Sequence, residues 1–215
     1  MKLHLGCGQR YLDGYLNIDF PLSGHTVQQI SVADIHADIT SISYPKNSVE
    51  EIRLHHVFEH FQRPVACGLL ACWHSWLQPG GILHLEVPDF KKTALIMLNP
   101  LHSLKKKSVA ERHLFGSHEA SWAVHCEGYT SSMLKNMLAS FGFETLGVTC
   151  NAWCGTYNLE IIANRHTMSV SKEEYIEIAN QFLRNFLLDS SDMEMKLHAV
   201  WMDMFYKQLE KGWGQ

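Results

Sequence analysis

The sequence predicts an α/β fold: an open, doubly wound, mostly parallel sheet with a closing antiparallel strand, followed by C-terminal helices. Two observations predict it. Short apolar runs that stop at glycine, proline or an acid alternate with a segment of helical period. The residues able to carry chemistry also fall at the ends of those runs, where ligands sit in open α/β sheets.

The elements follow in order. Lys2 to Leu5 alternates into Gly6-Cys7-Gly8, a short buried strand and a turn. Tyr15 to Phe20 is a second strand, stopped by Pro21, and Val32 to Ile39 holds a third. Pro45-Lys46-Asn47-Ser48 is turn chemistry, and Val49 to His55 is the fourth strand. From Pro64 to Leu77 the residues Val65, Leu69, Leu70, Trp73, Trp76 and Leu77 recur at helical spacing, and Pro79-Gly80-Gly81 ends the helix. Ile82 to Val87 is the fifth strand. Phe90 to Tyr129 reads as an irregular insertion, a lid or binding loop. Thr130 caps a helix whose apolar stripe is Leu134, Met137, Leu138 and Phe141. Phe143 to Thr149 and Tyr157 to Ala163 close the sheet. Ser171 to Leu188 and Met193 to Lys211 form a helical pair. The expected organisation is an α/β domain over 1–164 with an insertion at about 90–129, and a helical appendage over 165–215.

Composition excludes some partners. The net charge is −4, from 18 basic and 22 acidic residues, so no nucleic-acid partner is expected. Met1 leads directly into a strand, and no apolar run approaches the roughly 18 residues of a membrane span. The six cysteines lack framework spacing. Reduced thiols and a cytoplasmic location are expected.

Gly6 and Gly8 let a ligand approach the backbone closely. Asp19 is suited to accept two hydrogen bonds from a ribose diol. Asp38 suits either an adenine amino group or a capping role in its own turn. In Gly6-Cys7-Gly8-Gln9-Arg10-Tyr11 the third glycine of a dinucleotide fingerprint is replaced by Tyr11. The stretch from Gln9 to Leu16 also leaves no room for the helix that would hold a pyrophosphate. A ligand with ribose and adenine but no phosphate tolerates both losses.

The ordered set LHLGCG, NID, ADIT, VEEIRLHHVFEHF, LQPGGILHLEVPD and GYTSSMLKNMLASFGF resembles the class I S-adenosylmethionine-dependent methyltransferases. The nearest group is the compact bacterial proteins associated with glycan modification. The resemblance spans Lys2 to Ala163 and implies a Rossmann-like fold with S-adenosylmethionine as cofactor. It implies Gly6 and Gly8 at the methionine part, Asp19 on the ribose, Asp38 and Ile39 around adenine, and His55 and His56 beside the methyl donor. The shortened first connection departs from the family. The C-terminal helices or a second subunit, as in a homodimer, are candidates to complete the pocket.

The expected reaction is in-line methyl transfer to a small-molecule or glycan-like acceptor. The imidazoles of His125, His118 and His56, in that order, are the candidate general bases. Two other readings compete. One is a non-catalytic binding or structural protein on the same fold. The other is a zinc hydrolase built on His56-x-x-Glu59-His60. The flanking strand and Pro64 argue against the helix that motif needs, so no metal ligand is assigned. A metal at His118, His125 and Cys126 lacks a recognised spacing.

Overall fold

The computed structural model describes residues 1–24, 26–167 and 170–214. Its seven strands are β1 (Lys2–Leu5), β2 (Leu16–Asp19), β3 (Ile35–His36), β4 (Val49–His55), β5 (Leu77–Pro88), β6 (Phe143–Trp153) and β7 (Thr156–Arg165). They form one sheet in the order β3-β2-β1-β4-β5-β7-β6. Strands β1 to β5 are parallel, and β7 runs antiparallel to both β5 and β6. The order reverses between β1 and β4, as a doubly wound sheet requires.

In-register neighbours share a face of the sheet. Leu3, Ile52 and Leu83 align on one face, and Leu5, Leu54 and Leu85 on the same one. All six are fully buried. Helix α1 (Arg63–Trp76) connects β4 to β5, and Leu69, Leu70, Trp73 and Trp76 join that core. The other face carries His4, Arg53 and His84 in register, with His55 and Glu86 one step on. Right-handed crossovers put helices between β1, β2 and β3 on this second face. Among the described residues those connections hold no α-helix, only turns and a 3-10 turn at Leu22–Gly24. A polar face suits that loss, because it exposes little apolar surface. The rings of His4 and His84 each lie 5.8 Å from His55, and Arg53 Nε donates to His55 Nε2 at 2.6 Å.

The segment expected to be irregular holds two helices, α2 (Phe90–Leu98) and α3 (Leu104–Phe115). Asp89 caps the first and Ser103 the second. Only Ala110 and Leu114 of α3 are buried, so its apolar period is too thin to read from the sequence. Pro100 separates the two. Helix α4 (Ser131–Ser140) has the expected cap, with Thr130 Oγ1 accepting from Met133 N at 3.3 Å.

Helices α5 (Lys172–Arg184) and α6 (Asp192–Gly212) share the same core, through Tyr175, Ala179, Phe182, Leu183, Met202, Phe205 and Leu209. Helix α6 packs closely on α1. A Cβ on Gly68 would lie 2.7 Å from Gln208 Cβ, and Trp76 Nε1 donates to the Gly212 carbonyl at 2.7 Å. Gln208 Nε2 also donates to the Thr40 carbonyl at 3.0 Å, which ties α6 to the 3-10 turn Ile39–Ser41 after β3.

Candidate active site

The carboxyl ends of β1 to β4 open into a cavity of about 540 Å³. After β1 the chain turns at Gly6 and Gly8, both at positive φ. The N–H groups of Gly6 and Cys7 both donate to the Ile18 carbonyl. A Cβ on Gly6 would lie 2.4 Å from Val57 Cγ2, so this close approach of two strand ends requires glycine. Asp19, the last residue of β2, closes the turn by accepting from Gly8 N at 2.8 Å and from Phe20 N at 2.8 Å. Asp38 caps the Ile39–Ser41 turn, with Oδ1 accepting from both the N–H and the hydroxyl of Thr40 at 2.8 Å. It lines the cavity as well, so capping and a place at the site coexist.

Gly6, Gly8, Asp19, Asp38, Ile39 and His56 are thus brought together in one cavity. The missing first helix is not replaced by α5 or α6, which contribute no residue to the lining. Phe20, Val27 and Gln28 from the β2–β3 connection, with Glu119 and Trp122 from the loop after α3, form part of the remaining wall. Trp122 Nε1 donates to the Gly24 carbonyl at 2.8 Å and joins those two segments.

His55 is not part of this cavity. Strand alternation turns it onto the polar face, among His4, Arg53 and His84. His56, one residue past β4 and at φ 54°, lines the cavity instead. Its Nδ1 lies 3.3 Å from Glu59 Oε1 and its Nε2 3.3 Å from Glu86 Oε1. Burial opposes its charge, but the two carboxylates outweigh burial and push its pKa up to about 9. His56 is therefore a cation at neutral pH. The neighbouring imidazoles of His55 and then His56 hold Glu86 well below the usual carboxylate range.

A second cavity, about 340 Å³, adjoins the first and shares His56 with it. His113 and His125 line it, with Arg112 and Trp153. Burial lowers the pKa of both histidines. His113 went unnoticed in the sequence because it lies in a polar, lysine-rich helix. Its ring stands 5.6 Å from that of His56, and its Nε2 is 3.1 Å from the Tyr157 carbonyl. His118 lines neither cavity. It is exposed, with Nε2 3.0 Å from the Phe115 carbonyl.

The H-x-x-E-H stretch is not an α-helix. His56 is in the left-handed region and Phe58–His60 is a single 3-10 turn, so the one-turn spacing that a zinc hydrolase motif needs is absent.

No family model and no curated protein matches the sequence. Solved structures do match the fold. The 1,6-didemethyltoxoflavin-N1-methyltransferase of Burkholderia thailandensis, solved with 1,6-didemethyltoxoflavin and S-adenosylhomocysteine, superposes with a TM-score of 0.52. The identity is 13%, over 77% of this chain and 70% of that one. An S-adenosylmethionine-dependent methyltransferase from Archaeoglobus fulgidus gives 0.52 at 14% identity, over 76% and 85%. One from Methanosarcina mazei gives 0.50 at 14%, over 78% and 92%. The chain has the class I methyltransferase fold. Its strand order and the position of its cavity at the β1/β4 reversal belong to that fold, while the helices usually covering the β1–β3 side are reduced to turns.

Proposed function

We propose that this protein transfers a methyl group from S-adenosylmethionine to a small polar acceptor. One observation carries the reading: the glycine turn Gly6–Gly8 and the strand-end acids Asp19 and Asp38 share one cavity, with a second cavity directly behind His56. The donor set fits a nucleoside with a charged tail. Asp19 is the acceptor for the ribose hydroxyls, Ile39 and Asp38 face the adenine, and Gly6 and Gly8 leave the backbone open to the methionine part. When bound, S-adenosylmethionine supplies a methyl carbon on a sulfonium, open to displacement.

The chain's own residues then hold the acceptor in the second cavity. His113 is the imidazole assigned to take the proton of an acceptor hydroxyl, because burial keeps it neutral and it lines that cavity. His56, held as a cation between Glu59 and Glu86, suits a wall between donor and acceptor rather than a base. A glycan-like acceptor fits a lining that sets Arg112, Ser117 and Thr156 beside the Trp153 ring, and so do other small hydroxylated molecules.

Calorimetric titration with S-adenosylhomocysteine tests the reading. One-to-one binding in the micromolar range, weakened at least tenfold by Asp19→Asn, is expected from the loss of one charge-assisted contact. No binding by a folded wild-type protein would refute it and favour a non-catalytic role for the fold.

A further inference from the structure

We infer that Glu59, His60 and His125 form a binding site for a divalent transition-metal ion, between the two cavities. One donor atom from each lies within 4.8 Å of the other two. The set combines two imidazoles and one carboxylate, a combination that binds zinc and its first-row neighbours and leaves coordination positions open.

Three features point to a ligand rather than to a chance cluster. First, Glu59 is 1% exposed, and its Oε2 has no hydrogen-bond partner among the described residues. An unpartnered carboxylate oxygen at that depth is costly unless something positive meets it. Its other oxygen, Oε1, lies 3.3 Å from His56 Nδ1 and 3.9 Å from His125 Nε2. Second, both histidines are oriented by backbone carbonyls. His60 Nδ1 lies 3.2 Å from the Val124 carbonyl, and His125 Nδ1 lies 3.2 Å from the Leu114 carbonyl. A carbonyl only accepts, so Nδ1 carries the proton in each ring, and in the neutral imidazole Nε2 keeps its lone pair. This is the arrangement by which outer groups orient metal-binding imidazoles. Third, the backbone holds the partners in place. The N–H groups of Cys126 and Glu127 donate to the Glu59 carbonyl at 2.8 and 3.2 Å, and Arg63 pairs with Glu127 at 2.7 Å. These bonds fix the His125 segment against the Glu59 turn. Tetrahedral donors at metal distance stand roughly 3.4 Å apart, so side-chain adjustments of about an ångström complete the site.

His60 lines the larger cavity and His125 the smaller, so the ion lies where the two meet. Its open positions suit an acceptor oxygen, whose proton it makes easier to lose. That role rests on the methyl-transfer reading, whereas the ion site does not. Glu59 and His60 belong to the H-x-x-E-H stretch, but His125, 65 residues beyond His60 in the numbering, supplies the third ligand in place of His56.

The test is zinc titration of tag-free, chelator-stripped protein, with cobalt(II) as a spectroscopic probe. One equivalent of zinc is expected to bind, and cobalt(II) to give the visible bands of a low-coordinate site. His60→Ala and His125→Ala should each weaken zinc on the order of a hundredfold and abolish the bands. His118→Ala should leave both unchanged. Circular dichroism of the two variants checks folding, since Glu59 itself is too deeply buried for a safe substitution. Zinc binding unaffected by His125→Ala, or no stoichiometric zinc, overturns the site. Titration of the same samples with S-adenosylhomocysteine keeps the two readings apart. Zinc without cofactor binding overturns methyl transfer alone, and cofactor without zinc binding overturns the metal site alone.

Discussion

The contact between Gly6 and Val57 offers a sharp test of how the cavity is built. Gly6→Ala places a Cβ 2.4 Å from Val57 Cγ2 at a φ of +70°. The left-handed backbone alone costs a non-glycine residue about 1–2 kcal/mol. The overlap adds about 1–3 kcal/mol, because a packed site must shift by about an ångström to clear it. The single variant should therefore lose about 2–5 kcal/mol of stability in urea denaturation. Val57→Ala removes Cγ1 and Cγ2 and leaves the Val57 Cβ 3.3 Å away. The double variant should recover the overlap part and retain the backbone part. A double-mutant cycle should then show a coupling of about 1–3 kcal/mol. Titration with S-adenosylhomocysteine should show weaker binding in Gly6→Ala, since the displaced turn carries Gly8 and its bond to Asp19. Coupling below about 0.5 kcal/mol with unchanged cofactor affinity would refute the claim that these two strand ends meet through glycine.

Other consequences are measurable. His74 is 1% exposed, and burial holds its pKa down to about 4, below the ordinary histidine value. The folded-state pKa is depressed, so the unfolded chain takes the proton first. Stability is complete above about pH 6.5 and should fall by about 3 kcal/mol as the pH drops toward 4. His74→Leu should flatten that part of the stability–pH curve in urea melts, and an unchanged slope would assign the loss to other groups. Gln208→Ala should cost about 1 kcal/mol through the lost bond to the Thr40 carbonyl and loosen the Ile39–Ser41 turn, read as a few-fold weaker affinity for S-adenosylhomocysteine. His113→Gln should lower kcat with a hydroxyl acceptor by about a hundredfold and leave cofactor affinity unchanged, and equal loss of both would make His113 structural.

Much was determined by the sequence alone. The strand ends are punctuated by glycine, proline and acids, because a turn needs positive φ or a stopped ladder. That punctuation was enough to place Gly6, Gly8, Asp19 and Asp38 at the carboxyl ends of the strands of one sheet. The α1 stripe and the Thr130 cap were legible because an apolar period and a cap are local signals. Helix α3 was not legible, since a helix that buries only two side chains leaves almost no apolar period. Tertiary structure alone decided which side of the strand His55 and His56 face, because a left-handed residue after β4 separates neighbours that look equivalent in sequence. It also decided that Trp122 closes the cavity over the missing helix, that His113 reaches the second cavity, and that His125 meets Glu59 and His60. Those meetings join residues far apart in the chain, through backbone bonds such as Cys126 N to the Glu59 carbonyl. No local pattern encodes such a contact, because its partners are chosen by the packing of separate segments.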